Sequence, residues 1–335
     1  MQKALIGAIE YYLPQSTLTN DVLAVQFPEF SAEKIFAKTG IKQRHISAAD
    51  ECSSDMAVQA AQKLFASGVI QPEQIDFLLF CTQTPDYLLP TSACVIQDRL
   101  GLRLSVGALD FNLGCSGFIY GLSLAKGLIE SGQAMNVLLL TADTYTKLIE
   151  PTDKSVKTIF GDGAAATLIT GVDYEKELIA PVAYGTDGRG AENLCTLGRG
   201  MRHGNSDADP YLRMKGPKIF EFTLDVVPGV IEQALVKAKT TFGEIELFVF
   251  HQANAYMLEH LRKKLNIPQE KFWVAMDFCG NTVSSTIPIA LKEAQKTGML
   301  VGKKKVMLVG FGVGYSWAAA VVDLDNFGSS VNECG

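Results

Sequence analysis

Three residues in this chain are of types that can run acyl chemistry, and each follows a stretch that reads as a strand end. Cys115 lies in Leu109-Asp110-Phe111-Asn112-Leu113-Gly114-Cys115-Ser116-Gly117-Phe118, His251 in Phe250-His251-Gln252-Ala253-Asn254, and Asn281 in Phe278-Cys279-Gly280-Asn281-Thr282. An apolar strand pattern (Val106, Ala108, Leu109, Phe111) runs into Gly114, and the small-residue stretch from Ile119 to Ile129 reads as a helix. Cys115 is therefore expected on a sharp strand-to-helix turn, where free backbone N–H groups and the positive end of the helix dipole favour a thiolate. A thiolate attacks thioesters and other acyl carbonyls. Singly, each residue has an ordinary structural reading: a packed core cysteine, a histidine satisfied by backbone, a turn asparagine after a glycine. A Cys, a His and an Asn at equivalent strand ends point instead to one shared pocket.

That equivalence comes from an internal repeat. Ile75-Asp76-Phe77-Leu78-Leu79-Phe80 resembles Ile245-Glu246-Leu247-Phe248-Val249-Phe250, Leu109-Asp110-Phe111 resembles Met276-Asp277-Phe278, and Val137-Leu138-Leu139-Leu140 resembles Val306-Met307-Leu308-Val309. Phe160-Gly161-Asp162-Gly163 resembles Phe311-Gly312-Val313-Gly314, and both precede a run of alanines. The first three offsets are all roughly 170 residues and keep one order, which predicts two similar α/β halves joined near Gly171 to Leu178. Corresponding strand ends of two such halves converge on one crevice. Two stretches break the pattern. Thr141 to Lys157 is polar and holds Pro151, and Gly185 to Pro210, rich in Gly, Asp and Asn, reads as a long surface loop.

Composition narrows the function classes. The chain has 335 residues, 47% of them hydrophobic, enough for a large core. A net charge of −6 argues against bulk nucleic-acid binding. No apolar run approaches ~20 residues, so no membrane span is expected. The first residues read as a strand rather than a signal peptide. Seven scattered cysteines, an odd number, suggest a reducing cytoplasm, and no CxxC or HExxH motif supports a metal.

Taken together, these motifs resemble the β-ketoacyl-acyl-carrier-protein synthase III family of the thiolase-like superfamily. The resemblance runs over nearly the whole chain, from Thr39-Gly40-Ile41-Lys42-Gln43-Arg44-His45 to Phe311-Gly312-Val313-Gly314-Tyr315-Ser316-Trp317. It implies an α/β fold, the five-layer αβαβα sandwich of two pseudo-symmetric halves. Residues 1–174 would carry the nucleophilic cysteine, 175–325 the histidine and asparagine, and 326–335 would be a disordered tail. It also implies a reaction: Cys115 takes an acyl group from a thioester, and His251 and Asn281 hold the malonyl thioester carbonyl while decarboxylation develops an enolate. The carbanion then attacks the acyl group, whose oxygen would lie in a second hole made by the backbone N–H groups of Cys115 and Val313. The glycines of Gly310-Phe311-Gly312-Val313-Gly314 would let backbone approach the acyl-enzyme, and the stretch does not match a dinucleotide fingerprint.

Asn254 matches a residue that contacts the phosphopantetheine arm. Leu89, before Pro90, matches one that reaches across a dimer to floor the partner's acyl pocket. Departures from the family are informative. Lys34 and Lys154 stand where a tryptophan and an arginine sandwich the adenine of coenzyme A. Tyr256 replaces an arginine that docks the carrier protein, and Glu221 replaces a further basic docking residue. Arg262, Lys263 and Lys264 remain candidates for docking the carrier, against a plain solvated helix face. The resemblance thus implies a cytoplasmic, homodimeric acyltransferase that starts fatty-acid or related chains. Its partners would be an acyl carrier protein and an acyl thioester donor, with no cofactor or metal. The alternatives are a specialised polyketide or secondary-lipid starter enzyme, condensing or transferring acyl groups to another nucleophile, or a non-catalytic heterodimer partner, which would have no reason to keep Cys115, His251 and Asn281 together.

Overall fold

The computed structural model describes residues 2–203, 209–325 and 327. The first half runs β1 (Gln2–Tyr12), β2 (Ser16–Thr19), α1 (Asn20–Gln26), α2 (Ala32–Thr39), β3 (Gln43–Ile46), α3 (Ser53–Ala66), β4 (Phe77–Cys81), α4 (Ser92–Arg99), β5 (Gly107–Phe111), α5 (Gly117–Glu130), β6 (Asn136–Asp143), α6 (Lys154–Lys157) and β7 (Gly163–Asp173). The second runs β8 (Ala183–Thr186), β9 (Leu194–Cys195), β10 (Arg213–Met214), α7 (Gly216–Lys237), β11 (Leu247–Phe250), α8 (Ala255–Lys264), β12 (Phe272–Trp273), α9 (Thr286–Lys296), β13 (Val306–Gly312) and β14 (Ser316–Val322).

Two five-stranded sheets follow, with orders β5-β4-β6-β7-β1 and β12-β11-β13-β14-β8. In both, the first three strands are mutually parallel and the next two pairings are antiparallel, so the sheets correspond strand for strand in order and direction. The central strands are continuous apolar runs because helices cover both faces. α5 and α9 lie between the sheets, α3 and α4 cover the outer face of one, and α7 covers that of the other. These are the five layers. The middle layer is held by fully buried side chains such as Ile119 and Leu122 of α5, Leu139 of β6, Ile287 of α9 and Leu308 of β13. Each side chain of this kind contributes about 1.5–3 kcal/mol relative to exposure. Gly121 lets α5 approach β6, since a Cβ there would meet Leu139 Cδ1 at 2.6 Å.

Two expectations change. Met276-Asp277-Phe278 is not the strand equivalent of Leu109-Asp110-Phe111. The edge strand is Phe272–Trp273, and 276–280 turns sharply through Gly280 at φ +74°. The reason is pairing: the Asp277 carbonyl accepts from Lys42 N at 2.7 Å, which ties this turn to the β3 approach instead of to the sheet. The stretch from Gly185 to Pro210 is less loop-like than its composition suggests. It completes β8 and contains β9, which pairs with β10. The tail from 326 lies outside the described residues except Phe327, which is buried and accepts from Gln295 Nε2 at 3.2 Å. No helix among the described residues is long and apolar enough to cross a membrane.

Candidate active site

Cys115 occupies the turn between β5 and α5 and is almost fully buried. Strand β13 of the other half presses against it: a Cβ on Gly312 would stand 2.8 Å from Cys115 Cβ and 2.9 Å from its Sγ. Next to it, the Ser116 and Ser316 hydroxyls share a hydrogen bond of 2.8 Å across the two halves. The backbone N–H groups of Cys115 and Val313 both bond to the sulfur and favour its anion. Burial, and after it the nearby Asp143 carboxylate, outweigh them and push the thiol up to about 12. The sequence argument for a standing thiolate thus fails on desolvation: the dipole and N–H groups are present, but the site is too dry for them to win.

His251 follows β11, with its own N–H bound to the Val309 carbonyl at 2.7 Å. Its Nδ1 lies 2.7 Å from the Thr286 hydroxyl at the head of α9. Burial pulls its pKa down to about 3, so the imidazole is neutral near pH 7. Asn281 sits beyond the 276–280 turn, pinned by Asn281 N to Ile159 O at 3.0 Å and Gly161 N to Asn281 O at 3.1 Å. Its Oδ1 accepts from Val283 N at 2.9 Å, which turns Nδ2 towards His251 Nε2, 3.4 Å away.

Cys115, His251 and Asn281 all line one cavity of ≈ 870 Å³, walled mostly by apolar side chains such as Ile159, Ile219, Met257 and Phe311. Exposed members of its lining, among them Lys34, Lys38, Lys154 and Tyr256, mark its rim, with the Phe220 ring 5.5 Å from that of Tyr256. Asn254 lines it too, while its Oδ1 caps α8 through Met257 N at 2.9 Å. Lys154 is occupied: its ammonium pairs with Glu29 at 2.5 Å and lies 5.0 Å over the Phe30 ring. Lys34 is exposed at the rim. Leu89 does not line the cavity. It lies 82% exposed beside Leu88, 80% exposed, in an apolar loop. On α8, Arg262 is held by Glu259 at 2.8 Å and by the Ile267 carbonyl, and Lys263 shares Glu259 at 3.2 Å, which leaves Lys264 the most available of the three. Glu221 pairs with Lys218 at 3.0 Å, and the Tyr256 ring lies tilted against that of His260 with ring centres 4.2 Å apart. No cluster of three potential metal ligands exists among the described residues.

Sequence reasoning missed Thr286, which holds His251, and Asp143, which faces the thiol. The polar run Asn281-Thr282-Val283-Ser284-Ser285-Thr286 ahead of an apolar helix was the available signal for the first. A carboxylate closing the apolar run Val137 to Ala142 was the signal for the second.

Because the free thiol titrates high, alkylation of Cys115 by iodoacetamide, followed by peptide mass spectrometry, should keep rising through pH 10 without a plateau. A plateau with its midpoint near pH 7 would mean that the helix dipole prevails over burial.

Comparison with known proteins identifies the family. A model of the 3-oxoacyl-[acyl-carrier-protein (ACP)] synthase III C terminal matches residues 235–324, and one of 3-oxoacyl-[acyl-carrier-protein (ACP)] synthase III matches 109–188. The chain is 36% identical over 328 residues to the β-ketoacyl-[acyl-carrier-protein] synthase III of Clostridium perfringens (strain ATCC 13124), covering 97% of this chain and 100% of that protein. It is 50% identical to a solved 3-oxoacyl-(acyl-carrier-protein) synthase III, with a TM-score of 0.94 over 96% of this chain and 99% of the other. The priming β-ketosynthase from the R1128 polyketide biosynthetic pathway is 30% identical, with a TM-score of 0.87 and 96% of each chain covered. With its two corresponding sheets and its buried Cys, His and Asn on one cavity, the chain belongs to the 3-oxoacyl-[acyl-carrier-protein] synthase III family of thiolase-fold acyltransferases.

Proposed function

We propose that Cys115 is the acyl-carrying nucleophile and that His251 and Asn281 form the enolate hole of a decarboxylating Claisen condensation that starts fatty-acid chains. The observation that carries this reading is the pair of nitrogens, His251 Nε2 and Asn281 Nδ2, 3.4 Å apart on the wall of the Cys115 cavity. Two donors at that spacing can serve one oxygen between them. The Thr286 hydroxyl is closer to His251 Nδ1, at 2.7 Å, than to its alternative acceptor, the Val283 carbonyl, at 3.1 Å. We assign the hydroxyl proton to Nδ1, which leaves Nε2–H facing the cavity. The neutral imidazole is then a permanent donor that needs no protonation step.

In the first half-reaction a bond forms between Cys115 Sγ and the donor's carbonyl carbon, and the donor's C–S bond breaks. The thiol proton leaves with the departing pantetheine sulfur. The N–H groups of Cys115 and Val313, which reach the Cys115 sulfur, would receive the carbonyl oxygen as it becomes an oxyanion. In the second, the malonyl thioester loses CO₂, its carbonyl oxygen takes the negative charge between His251 and Asn281, and the new carbanion attacks the acyl carbon. The Cys115–acyl bond breaks, and the thiolate takes a proton from solvent.

The cavity and its rim bear on the partners. An arm of pantetheine length would run past Asn254 to the lysine rim, where phosphate charge is met by Lys34. A second copy of this chain is the natural cover for the exposed Leu88 and Leu89 and for the open edge of β5. On α8, Lys264 with Lys263 is the remaining basic surface for an acidic carrier protein. The six cysteines among the described residues are all free, which supports a reducing, cytoplasmic setting. Retention of Asn281 favours true decarboxylation over simple acyl transfer. The polyketide-priming alternative differs only in what the donor carries.

Replacing His251 or Asn281 by Ala should slow malonyl decarboxylation about 10²–10³-fold while leaving Cys115 acylation within a few-fold of normal. Equal losses in both half-reactions would remove the enolate-hole role.

The rim gives a second expectation. Neither Lys34 nor the already paired Lys154 offers a face on which adenine can stack, and base–aromatic stacking is worth about 1–3 kcal/mol. Affinity for free acyl-coenzyme A should therefore be roughly ten- to a hundredfold weaker than with a full adenine clamp, and with the same acyl group Cys115 should be acylated more efficiently from a carrier protein than from coenzyme A. A preference for acetyl-coenzyme A at micromolar concentration would overturn this and assign the nucleotide to the Tyr256 side of the rim.

A further inference from the structure

The segment from Asn281 to Thr286 supplies one donor of the proposed enolate hole and the hydroxyl that orients the other, yet locally it is a poor piece of structure. Val283, a β-branched residue, sits at φ +56°, in the left-handed region. The Thr282 hydroxyl is buried with no hydrogen-bond partner among the described residues. A conformation of this kind persists only when its surroundings over-determine it. Three contacts do so. Thr286 meets His251, Ser285 Oγ bonds to the Thr141 hydroxyl at 2.9 Å and to its carbonyl at 3.0 Å, and Ser284 Oγ donates to Asp143 Oδ2 at 2.8 Å.

Asp143 closes β6 and is fully buried. Its other oxygen, Oδ1, accepts from Gln83 N at 2.7 Å and lies 3.5 Å from the Thr82 and Thr84 hydroxyls. Gln83 in turn backs the nucleophile's turn. Its Oε1 would stand 2.5 Å from a Cβ on Gly114, and it accepts from the Tyr145 hydroxyl at 2.5 Å. One carboxylate thus joins the Cys115 side of the site to the Asn281 side. Asp143 has no ion-pair partner among the described residues. The titratable groups that face it are Cys81 of β4, Cys115, Tyr145 after β6 and Asp162 before β7, all acids, and none of them neutralises it.

We propose that Asp143 is the positioning residue of this site: held between Gln83 and Ser284, its carboxylate locks the Asn281–Thr286 segment against the Cys115 turn and sets the electric field at the thiol. The first role rests on the enolate-hole reading above; the second does not. Burial pushes the carboxyl up to about 7, so its charge appears across neutral pH. Ionised Asp143 opposes thiolate formation, and protonated Asp143 does not. Removing the charge must therefore matter above pH 7 and not below pH 6.

Two readouts test this. Ser284→Ala cuts the strut but keeps the charge, and should lower malonyl decarboxylation about tenfold with Cys115 acylation unchanged. Asp143→Ala should lower malonyl decarboxylation to the same extent, and Asp143→Asn should restore most of that loss, because its oxygen can accept from Gln83 N while its amide donates to Ser284 Oγ. In the second readout, Asp143→Asn should be alkylated at Cys115 by iodoacetamide about three- to tenfold faster than the parent enzyme at pH 9. That ratio should fall towards one at pH 5.5. A purely structural residue gives a ratio independent of pH. The proposal is overturned by unchanged decarboxylation in Ser284→Ala or by an alkylation ratio that is the same at both pH values. If the parent enzyme does not decarboxylate malonyl thioesters, the enolate-hole reading has failed, and the alkylation ratio still decides the case of Asp143.

Discussion

The site depends on the contact between Cys115 and Gly312. One half of the molecule supplies a strand-to-helix turn, and the other supplies a strand whose glycine lets that turn sit where any side chain would collide, 2.8 Å from Cys115 Cβ. Because the glycine is there, Val313 N–H reaches the sulfur, the Ser116 and Ser316 hydroxyls meet, and His251 at the end of neighbouring β11 opens onto the same cavity. The repeat is thus the means by which the site is built. Two copies of one sheet, back to back across α5 and α9, bring equivalent strand ends to a single crevice.

The same close packing decides the electrostatics. Water is excluded, so the charged forms of the nucleophile and of the titratable groups beside it are disfavoured: the thiol stands near 12, the imidazole near 3 and the Asp143 carboxyl near 7. At rest the thiol and the imidazole are both uncharged near pH 7, and the site's donors are aimed at places where charge will arise later. Preorganised dipoles in a dry cavity act strongly on a developing oxyanion and cost no reorganisation when it forms. A resting thiolate would forgo part of that benefit. Buried polar side chains are tolerated because nearly every one is bonded; the Thr282 hydroxyl, unpartnered among the described residues, lies in the strained segment that carries Asn281.

Much of this was legible in the chain. The apolar runs at 75–80 and 245–250, and at 137–140 and 306–309, gave the corresponding strands of the two sheets, because buried parallel strands have a one-dimensional signature. The turn at Cys115 was legible for the same reason. Less legible were features that exist only between segments. Met276-Asp277-Phe278 copies the composition of the β5 strand but is captured by Lys42 and turned out of the sheet. Thiol acidity depends on how dry the turn becomes, which local sequence does not encode. Local sequence does not encode that Lys154 is paired with Glu29 over Phe30, or that Arg262 is paired with Glu259. Asp143 and Thr286 act on residues far away in sequence, so only the folded chain connects them to the chemistry.

The most direct measurement is a two-step labelling experiment read by intact-protein and peptide mass spectrometry. The enzyme is incubated with a panel of acyl donors, then chased with malonyl-carrier protein. The expected result is one acyl group on Cys115, absent from Cys115→Ala. The chase should discharge it into a 3-oxoacyl product two carbons longer, with one CO₂ released per turnover. An acyl group on another cysteine, or a chase that releases only free acid, would contradict the assignment of this cavity to acyl capture and condensation.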